Sequence, residues 1–172
     1  DQVWYMPSGQ PPHKRDHDIT DVKDRLAMVE LAIRHDPDFL LSEFETSREG
    51  NTYTAQTLRL LKEAYPQHEF FFIIGADSLY EIEYWYHPEK IIGVVPILVA
   101  DREYSREHRE IDEQILYLKK KYQGEILKLH CREVDVASKE IRQLVRDGHS
   151  VENYLPEEVE KYIISHHLYQ EA

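Results

Sequence analysis

The sequence predicts an α/β protein built on a parallel sheet that is covered by helices. Five apolar residues follow one another without alternation from Phe70 to Ile74, which is typical of a strand buried on both faces. Strand candidates alternate along the chain with segments that carry the spacing of amphipathic helices, and this order favours right-handed crossovers between parallel strands. With 172 residues, the chain is expected to form one domain over 1–172.

The first elements from the amino end are a strand, a helix, a strand and a second helix. The opening strand is the apolar run at 3–6. A helix is predicted from the apolar residues Val22, Leu26, Val29 and Ile33, spaced four, three and four apart, and Asp36-Pro37 ends it. A short strand is expected over 39–44. The second helix, at 54–65, carries one apolar side and is ended by Pro66.

The second half of the chain continues this alternation after the strand at 70–74. Pro88 suits the first residue of a helix at 88–92. Three lysines in the last turns of the helix at 111–122 complement its dipole, and Gly148 ends the helix at 138–147. The predicted elements are a short helix at 88–92, a strand at 96–100, a helix at 111–122, a strand at 126–129, a helix at 138–147 and a last helix from 156.

Composition and charge exclude several functions. A net charge of −12 argues against broad binding to nucleic acid or to an anionic membrane, because both need a dense positive surface. No apolar run approaches the roughly 18 residues of a membrane span. The single cysteine, Cys131, is consistent with a reducing compartment, so we expect a cytoplasmic protein without nucleic-acid or membrane partners.

Three segments have the chemistry of anion sites, and each also has a plainer interpretation. The loop at 7–15 follows a strand and carries consecutive basic residues, but a stiff proline-rich connection is equally consistent. The loop at 48–54 ends in hydroxyl groups that either bind a small carboxylate or cap the following helix. In the segment 136–142, Ser138 and Arg142 can hold a phosphate, although a capping serine and a surface arginine also explain them.

A nucleotide site is predicted at the end of the strand at 70–74. Gly75 allows a ligand to approach the backbone, and Asp77 can accept a hydrogen bond from a ribose hydroxyl. Trp85 follows eight residues after Asp77 and can stack on a planar ring. An aromatic cluster of this kind is nevertheless more often part of a core.

The histidines predict no structural metal site. His13 and His17 lie four residues apart and another pair lies at 166–167, but no third ligand at metal-site spacing accompanies them. The His-Asp dipeptides at 17–18 and 35–36 resemble those of metal phosphohydrolases, which makes a hydrolase a minor alternative.

In order along the chain, these motifs resemble those of bacterial nicotinate-nucleotide adenylyltransferases, in the nucleotidyltransferase superfamily. The family's Pro-Asn-x-x-Pro-Pro-His-Lys loop resembles residues 7–14, and its Arg-x-Gly-x-Ser-Tyr-Thr-x-Asp-Thr segment resembles 48–57. The strand Phe-Phe-Ile-Ile-Gly-Ala-Asp at 71–77, the later tryptophan and the carboxyl-terminal helix match as well. This resemblance covers nearly the whole chain and implies a Rossmann-like parallel sheet with helices on both faces.

The resemblance implies an enzyme of NAD biosynthesis, in which nicotinate mononucleotide attacks the α-phosphorus of ATP to give nicotinate adenine dinucleotide and pyrophosphate. ATP brings Mg²⁺, and catalysis depends on positioning and charge stabilisation without a covalent protein intermediate. Ser138 and Arg142 would act in catalysis by holding the ATP phosphates, and Gly75 and Asp77 would contact the rest of ATP. The residues implied for the mononucleotide are His13, Lys14, Thr52, Tyr53, Thr54, Trp85 and Arg102.

The chain departs from the family pattern in three ways. Ala137 and Lys139 stand where the family's Ile-Ser-Ser-Thr-x-Ile-Arg segment has a serine and a threonine. Gln56 and Thr52 replace an aspartate and a serine. The chain begins at Asp1 without the family's first strand and its Gly-Gly-x-Phe-Asp-Pro-x-His-x-Gly-His segment. We therefore expect an amino-terminally incomplete domain that is unstable and nearly inactive by itself.

Two further functions stay open from the sequence. A related enzyme would prefer nicotinamide mononucleotide, although the loop at 48–54 favours the acid. A noncatalytic nucleotide-binding module, favoured by Ala137, Lys139 and the missing segment, would bind ATP without releasing pyrophosphate. Homodimers are usual in the family, so a homodimer is expected by association only.

Overall fold

A computed structural model of the protein describes residues 1–9, 20–100, 111–129 and 136–170. Helices alternate with parallel strands, which confirms the predicted α/β class. The chain forms two compact units, Asp1–Thr52 with Asp135–Ala172, and Tyr53–Val134. No helix among the described residues is long and apolar enough to cross a membrane. The single domain expected over 1–172 stays a prediction.

The first unit contains a parallel strand pair and three helices: β1 (Val3–Tyr5), α1 (Val22–Ile33), β2 (Phe39–Leu41), α6 (Ser138–Arg146) and α7 (Glu157–Ser165). β1 pairs with β2 in a register that places Trp4 opposite Leu40. The side chain of Asp21 caps α1 by accepting a hydrogen bond from the Lys23 amide at 2.7 Å. The core of this unit is formed by Val145, Val151, Val159 and Ile163, against which Met28 and Leu31 of α1 pack.

The second unit is built on a three-stranded parallel sheet in the order β3-β4-β5. Its elements are α2 (Thr54–Ala64), β3 (Phe72–Gly75), α3 (Ala76–Glu81), a 3₁₀ turn (Ile82–Tyr84), α4 (Pro88–Ile92), β4 (Ile97–Ala100), α5 (Ile111–Tyr122) and β5 (Ile126–Leu129). The strands are in register, with Ile74 opposite Val99 and Val99 opposite Lys128. Fully buried side chains of the unit include Leu79, Ile82, Ile91, Ile97 and Leu118.

Two details of the predicted sheet are wrong. Among the described residues the strands hydrogen-bond as two sheets, one of two strands and one of three, whereas one sheet was expected. β3 is also not buried on both faces. Ile74 is 6% exposed and faces the core, whereas Phe71 and Ile73 are 46% and 47% exposed on the other side. Successive residues of a strand point to opposite faces, and only one of these faces is packed.

Candidate active site

Thr52 places a buried hydroxyl at the end of the predicted carboxylate-binding loop. The residue is 6% exposed, and its Oγ1 forms no hydrogen bond with any residue that the structure describes. The alternative is that Thr52 or Thr54 caps α2, but the N-cap is Tyr53, which makes no side-chain capping hydrogen bond, and Thr52 Oγ1 has no partner among the described residues. The capping interpretation is therefore wrong. A buried hydroxyl without a partner costs about 1–3 kcal/mol, which a hydrogen bond to a ligand would offset.

The loop that follows β1 lies against this threonine. A Cβ atom added at Gly9 would stand 3.2 Å from Thr52 Cγ2 and 2.7 Å from the carbonyl oxygen of Glu45. Real Cβ atoms do not approach a backbone oxygen so closely, so only glycine allows the loop to pass here. The described part of the loop, residues 7–9, therefore passes directly beside Thr52.

A cavity of about 510 Å³ in the first unit contains both residues that we predicted to hold the ATP phosphates. Ser138 is exposed at the first position of α6, and Arg142, one turn later, is half-buried. The Arg142 guanidinium lies 5.9 Å from the centre of the Tyr169 ring, a cation–π contact that orients it. The cavity is otherwise largely apolar, with Met28, Val29, Ile141, Val159 and Ile163 among its lining residues and Arg25 at its wall.

The amino end of α6 has no side-chain cap. Its N-cap residue is Ala137, which has no side-chain oxygen to accept a hydrogen bond from the helix. Glu140 supplies half of a capping arrangement, because its Oε2 accepts a hydrogen bond from the Ala137 amide at 3.0 Å. The first amides of α6 therefore point past Ala137 without a hydroxyl in front of them, in an orientation that favours an anion.

At the end of β3, Gly75 has space around it. Its φ of −78° is ordinary, and a Cβ atom added there would meet no atom of the described residues within 4 Å. Neither the backbone nor the packing therefore explains the glycine. Asp77 is exposed in the first turn of α3, two residues further on. This open strand end has the form predicted for a nucleotide contact.

Two of the residues predicted for the mononucleotide, Tyr53 and Trp85, make aromatic contacts in the second unit. The rings of Tyr53 and Tyr86 lie 4.5 Å apart between centres. Trp85 is half-buried and meets Phe72 edge to face at 6.4 Å, so it also contributes to the core, as its plainer interpretation suggested. His87 has a left-handed backbone, with φ of 54°, directly before Pro88. A residue before proline rarely adopts this conformation, and such strain is concentrated at ligand-binding sites.

His13, Lys14 and Arg102, which we predicted for the mononucleotide site, lie outside the described residues. Cys131 and the His-Asp dipeptide at 17–18 lie outside them as well.

The second His-Asp dipeptide, at 35–36, is engaged in surface contacts. His35 Nε2 lies 3.4 Å from Glu158 Oε1, and Asp36 Oδ1 accepts a hydrogen bond from the Asp38 amide at 3.0 Å. Across the described ranges, no three histidine, cysteine, aspartate or glutamate side chains are grouped so that they could hold a metal ion.

Comparison with known proteins identifies the family. The chain is 38% identical over 169 residues to a protein of Lachnoclostridium phytofermentans named probable nicotinate-nucleotide adenylyltransferase, covering 98% of this chain and 84% of the relative. A protein of Clostridium botulinum with the same name is 34% identical over 170 residues, covering 99% of this chain and 85% of the relative. The chain belongs to the nicotinate-nucleotide adenylyltransferase family. The broader cytidylyltransferase-like family also matches, over residues 1–145.

Solved structures confirm the fold of this family member. A nicotinic acid mononucleotide adenylyltransferase of Plasmodium falciparum, solved in complex with NaAD, superposes with a TM-score of 0.76 at 19% identity. The superposition covers 98% of this adenylyltransferase-family chain and 82% of the Plasmodium chain. The same protein in complex with APC gives a TM-score of 0.73 at 18% identity over the same shares of the two chains. The Rossmann-like fold that the sequence predicted is therefore confirmed.

Two residues near the candidate site were not predicted from the sequence. Tyr86 could have been found, because it directly follows Trp85 and belongs to the same aromatic run. Arg25 could not, because its partners are main-chain carbonyls that no sequence motif reveals.

Proposed function

We propose that this chain transfers the adenylyl group of ATP to nicotinate mononucleotide and releases pyrophosphate, as a step of NAD biosynthesis. The observation that carries the proposal is the buried Thr52 hydroxyl, which has no hydrogen-bond partner among the described residues. It lies in the segment that resembles the family's nicotinate loop, and capping of α2 does not explain it.

Thr52, Tyr53 and Thr54 would bind the carboxylate end of the mononucleotide. The amino end of α2 has no side-chain cap and favours negative charge, which supports the acid over the neutral amide. Trp85 would lie beside the pyridine ring, with Tyr86 near Tyr53. His13, Lys14 and Arg102 would complete the mononucleotide side, as the family resemblance implies.

The family resemblance implies which residues would hold ATP. Gly75 and Asp77 would contact its nucleoside part at the open end of β3, and Ser138 and Arg142 would hold its phosphates from the cavity wall. Arg142 presents a planar set of donors that matches phosphate oxygens. Its charge would stabilise the negative charge that develops during transfer.

The reaction needs no protein nucleophile. A phosphate oxygen of nicotinate mononucleotide forms a bond to the α-phosphorus of ATP, and the bond from that phosphorus to the bridging oxygen of the β-phosphate breaks. The electron pair leaves with pyrophosphate, so the protein acts by aligning the two substrates and by balancing their charge. Mg²⁺ enters as part of the ATP substrate, because the described polar side chains that line the cavity are hydroxyls and two arginines, with no carboxylate among them, which suits anions rather than cations.

Pyrophosphate release from MgATP tests this proposal, with nicotinate mononucleotide compared against nicotinamide mononucleotide. The assay is run on the 172-residue chain and on a version that carries the family's Gly-Gly-x-Phe-Asp-Pro-x-His-x-Gly-His segment at its amino end. We expect the acid to be the better substrate by kcat/KM. A preference for the amide, or no release in either version, would contradict the proposal.

One observation favours a noncatalytic nucleotide-binding module as a second candidate. Ala137 removes a hydroxyl at the start of α6, beside the residues that would hold the phosphates. If this loss abolishes transfer, ATP binds but no pyrophosphate appears in either version of the chain. Ala137→Ser should then restore release, since it returns the missing hydroxyl.

A further inference from the structure

We propose that Arg25 is a positioning residue that fixes the loop after β1 and thereby sets the affinity for the mononucleotide. The inference deepens the proposed function and rests on it. Arg25 lies in α1 and is half-buried. Neither the sequence motifs nor the family resemblance assigns it a role.

The Arg25 guanidinium connects two parts of the chain through main-chain carbonyls. Its Nη1 donates to the Ser8 carbonyl at 2.6 Å and its Nη2 to the Gly9 carbonyl at 3.3 Å. Its Nε donates to the Thr20 carbonyl at 3.0 Å. Each of the three nitrogens therefore contacts a carbonyl, an arrangement that the planar fork of an arginine can satisfy and a lysine cannot.

The same loop is held from its other side by close packing. Gly9 is buried, and a Cβ atom there would collide with the Glu45 carbonyl oxygen and press on Thr52. Arg25 thus holds the carbonyls of Ser8 and Gly9 while the Cα of Gly9 rests against Thr52. Loss of the guanidinium would release one side of this arrangement and let the loop move away from the Thr52 hydroxyl.

A direct role in binding ATP phosphate is the competing explanation, because Arg25 lines the cavity that also contains Ser138 and Arg142. The geometry favours positioning, since all three guanidinium nitrogens already donate to carbonyls. The two explanations predict different kinetics. A positioning role changes the KM for nicotinate mononucleotide, whereas a phosphate-binding role changes the KM for ATP.

The test compares Arg25→Met and Arg25→Lys with the wild-type chain. We expect both variants to raise the KM for nicotinate mononucleotide on the order of tenfold, with the KM for ATP and kcat within about twofold, since small displacements weaken binding strongly. Arg25→Lys should not restore the wild-type KM for nicotinate mononucleotide, because one ammonium group cannot reach three carbonyls. The proposal would be overturned if Arg25→Met raised the KM for ATP and Arg25→Lys kept it at the wild-type value. The positive charge of Arg25 would then be what the substrate requires.

Arg59→Met is the matched control, because Arg59 is an exposed helical arginine that pairs with Glu63 Oε1 at 2.6 Å. It should leave both KM values unchanged, and an equal effect from this control would overturn the proposal.

A wild-type chain that makes no dinucleotide would contradict the proposed function but not the role of Arg25. Hydrogen exchange of residues 3–9 then decides, with faster exchange expected in Arg25→Met and unchanged exchange counting against the proposal.

Discussion

Gly9 packs directly against Thr52: a methyl group added to Gly9 would stand 3.2 Å from Thr52 Cγ2. The contact joins the loop after β1 to a buried hydroxyl that has no partner among the described residues. An unsatisfied buried hydroxyl is unfavourable in the ligand-free protein and is expected where a ligand completes the hydrogen bond. Stability and substrate affinity should therefore change in opposite directions when this hydroxyl is removed.

Thr52→Val tests that expectation. Valine has a similar shape without the hydroxyl, so the free energy of unfolding should rise by about 1 kcal/mol. The KM for nicotinate mononucleotide should rise on the order of tenfold, because the ligand loses a hydrogen bond to its charged group. Urea unfolding and steady-state kinetics on the same preparation measure both effects.

Thr46→Val serves as its control. The Thr46 hydroxyl is exposed and donates to the Glu43 carbonyl at 3.1 Å. Its loss should lower stability slightly and leave the KM unchanged. If Thr52→Val were instead less stable with an unchanged KM, the hydroxyl would be structural.

Gly75→Ala should separate stability from ATP affinity. A methyl group at Gly75 meets no atom within 4 Å in the part of the chain that the structure describes, so the melting temperature should stay within about 1 °C of wild type. The same methyl group would occupy the space of a ligand approaching the strand end, so the KM for ATP should rise several-fold.

Gly124→Ala is the matched comparison, and we expect it to lower stability rather than to raise the KM for ATP. A Cβ atom at Gly124 would collide with the Ile92 carbonyl oxygen, so this variant should be strongly destabilised. Gly75→Ala with a normal KM for ATP would show that the open strand end does not contact the nucleotide.

Tyr162→Phe should loosen α7 from α1. The Tyr162 hydroxyl donates to Asp24 Oδ1 at 2.9 Å, and this hydrogen bond raises the pKa of the phenol. Its removal should lower the melting temperature by about 2–4 °C. A raised pKa means that the bond stabilises the protein below the ordinary tyrosine pKa and is lost as the pH rises through the folded value. Wild type should therefore melt higher than Tyr162→Phe at neutral pH but not in strong alkali. A difference in melting temperature that persists in strong alkali would contradict the role given to the Tyr162–Asp24 hydrogen bond.

Glu158→Gln should flatten the acid side of the stability profile. The pKa of Glu158 is lowered to about 2 by its own backbone amide, then by His35 and Arg34, whose Nη2 lies 2.7 Å from Glu158 Oε1. Because this pKa is lowered, the ionised Glu158 carboxylate stabilises the protein at pH values above the ordinary glutamate pKa. This stabilisation is lost as the pH falls through about 2. Wild type should melt higher than the variant at pH 6 but not at about pH 2, as followed by circular dichroism. Equal melting temperatures at both pH values would show that the pair contributes nothing.

Much of the fold could be predicted because local spacing determines it. The apolar repeat from Val22 to Ile33 marks α1, which ends shortly before Asp36-Pro37, and Pro88 with Ile92 bounds α4 as expected. α3 escaped prediction because six residues are too few to show a helical period. The pairing of strands also escaped, since apolar alternation says which segments are strands but not which strands are neighbours.

The candidate site was predictable only where the chemistry is local. Ser138 and Arg142 are one helical turn apart, so the sequence places them on one face of α6, and both line the cavity. The failure of Thr52 to cap α2 could not be foreseen, because capping depends on which residue takes the N-cap conformation. The contact of Arg25 with Ser8 spans 17 residues and uses only a main-chain carbonyl, which leaves no side-chain pattern to read.

The most direct measurement follows the α-phosphorus of ATP. ATP labelled at the α-phosphate is incubated with Mg²⁺ and nicotinate mononucleotide, and the products are separated by chromatography. Adenylyl transfer predicts that the label appears in nicotinate adenine dinucleotide, one dinucleotide for each pyrophosphate released, and that nicotinamide mononucleotide is used less well. Label that stays in bound ATP, or that appears in AMP without any dinucleotide, would contradict the proposed function.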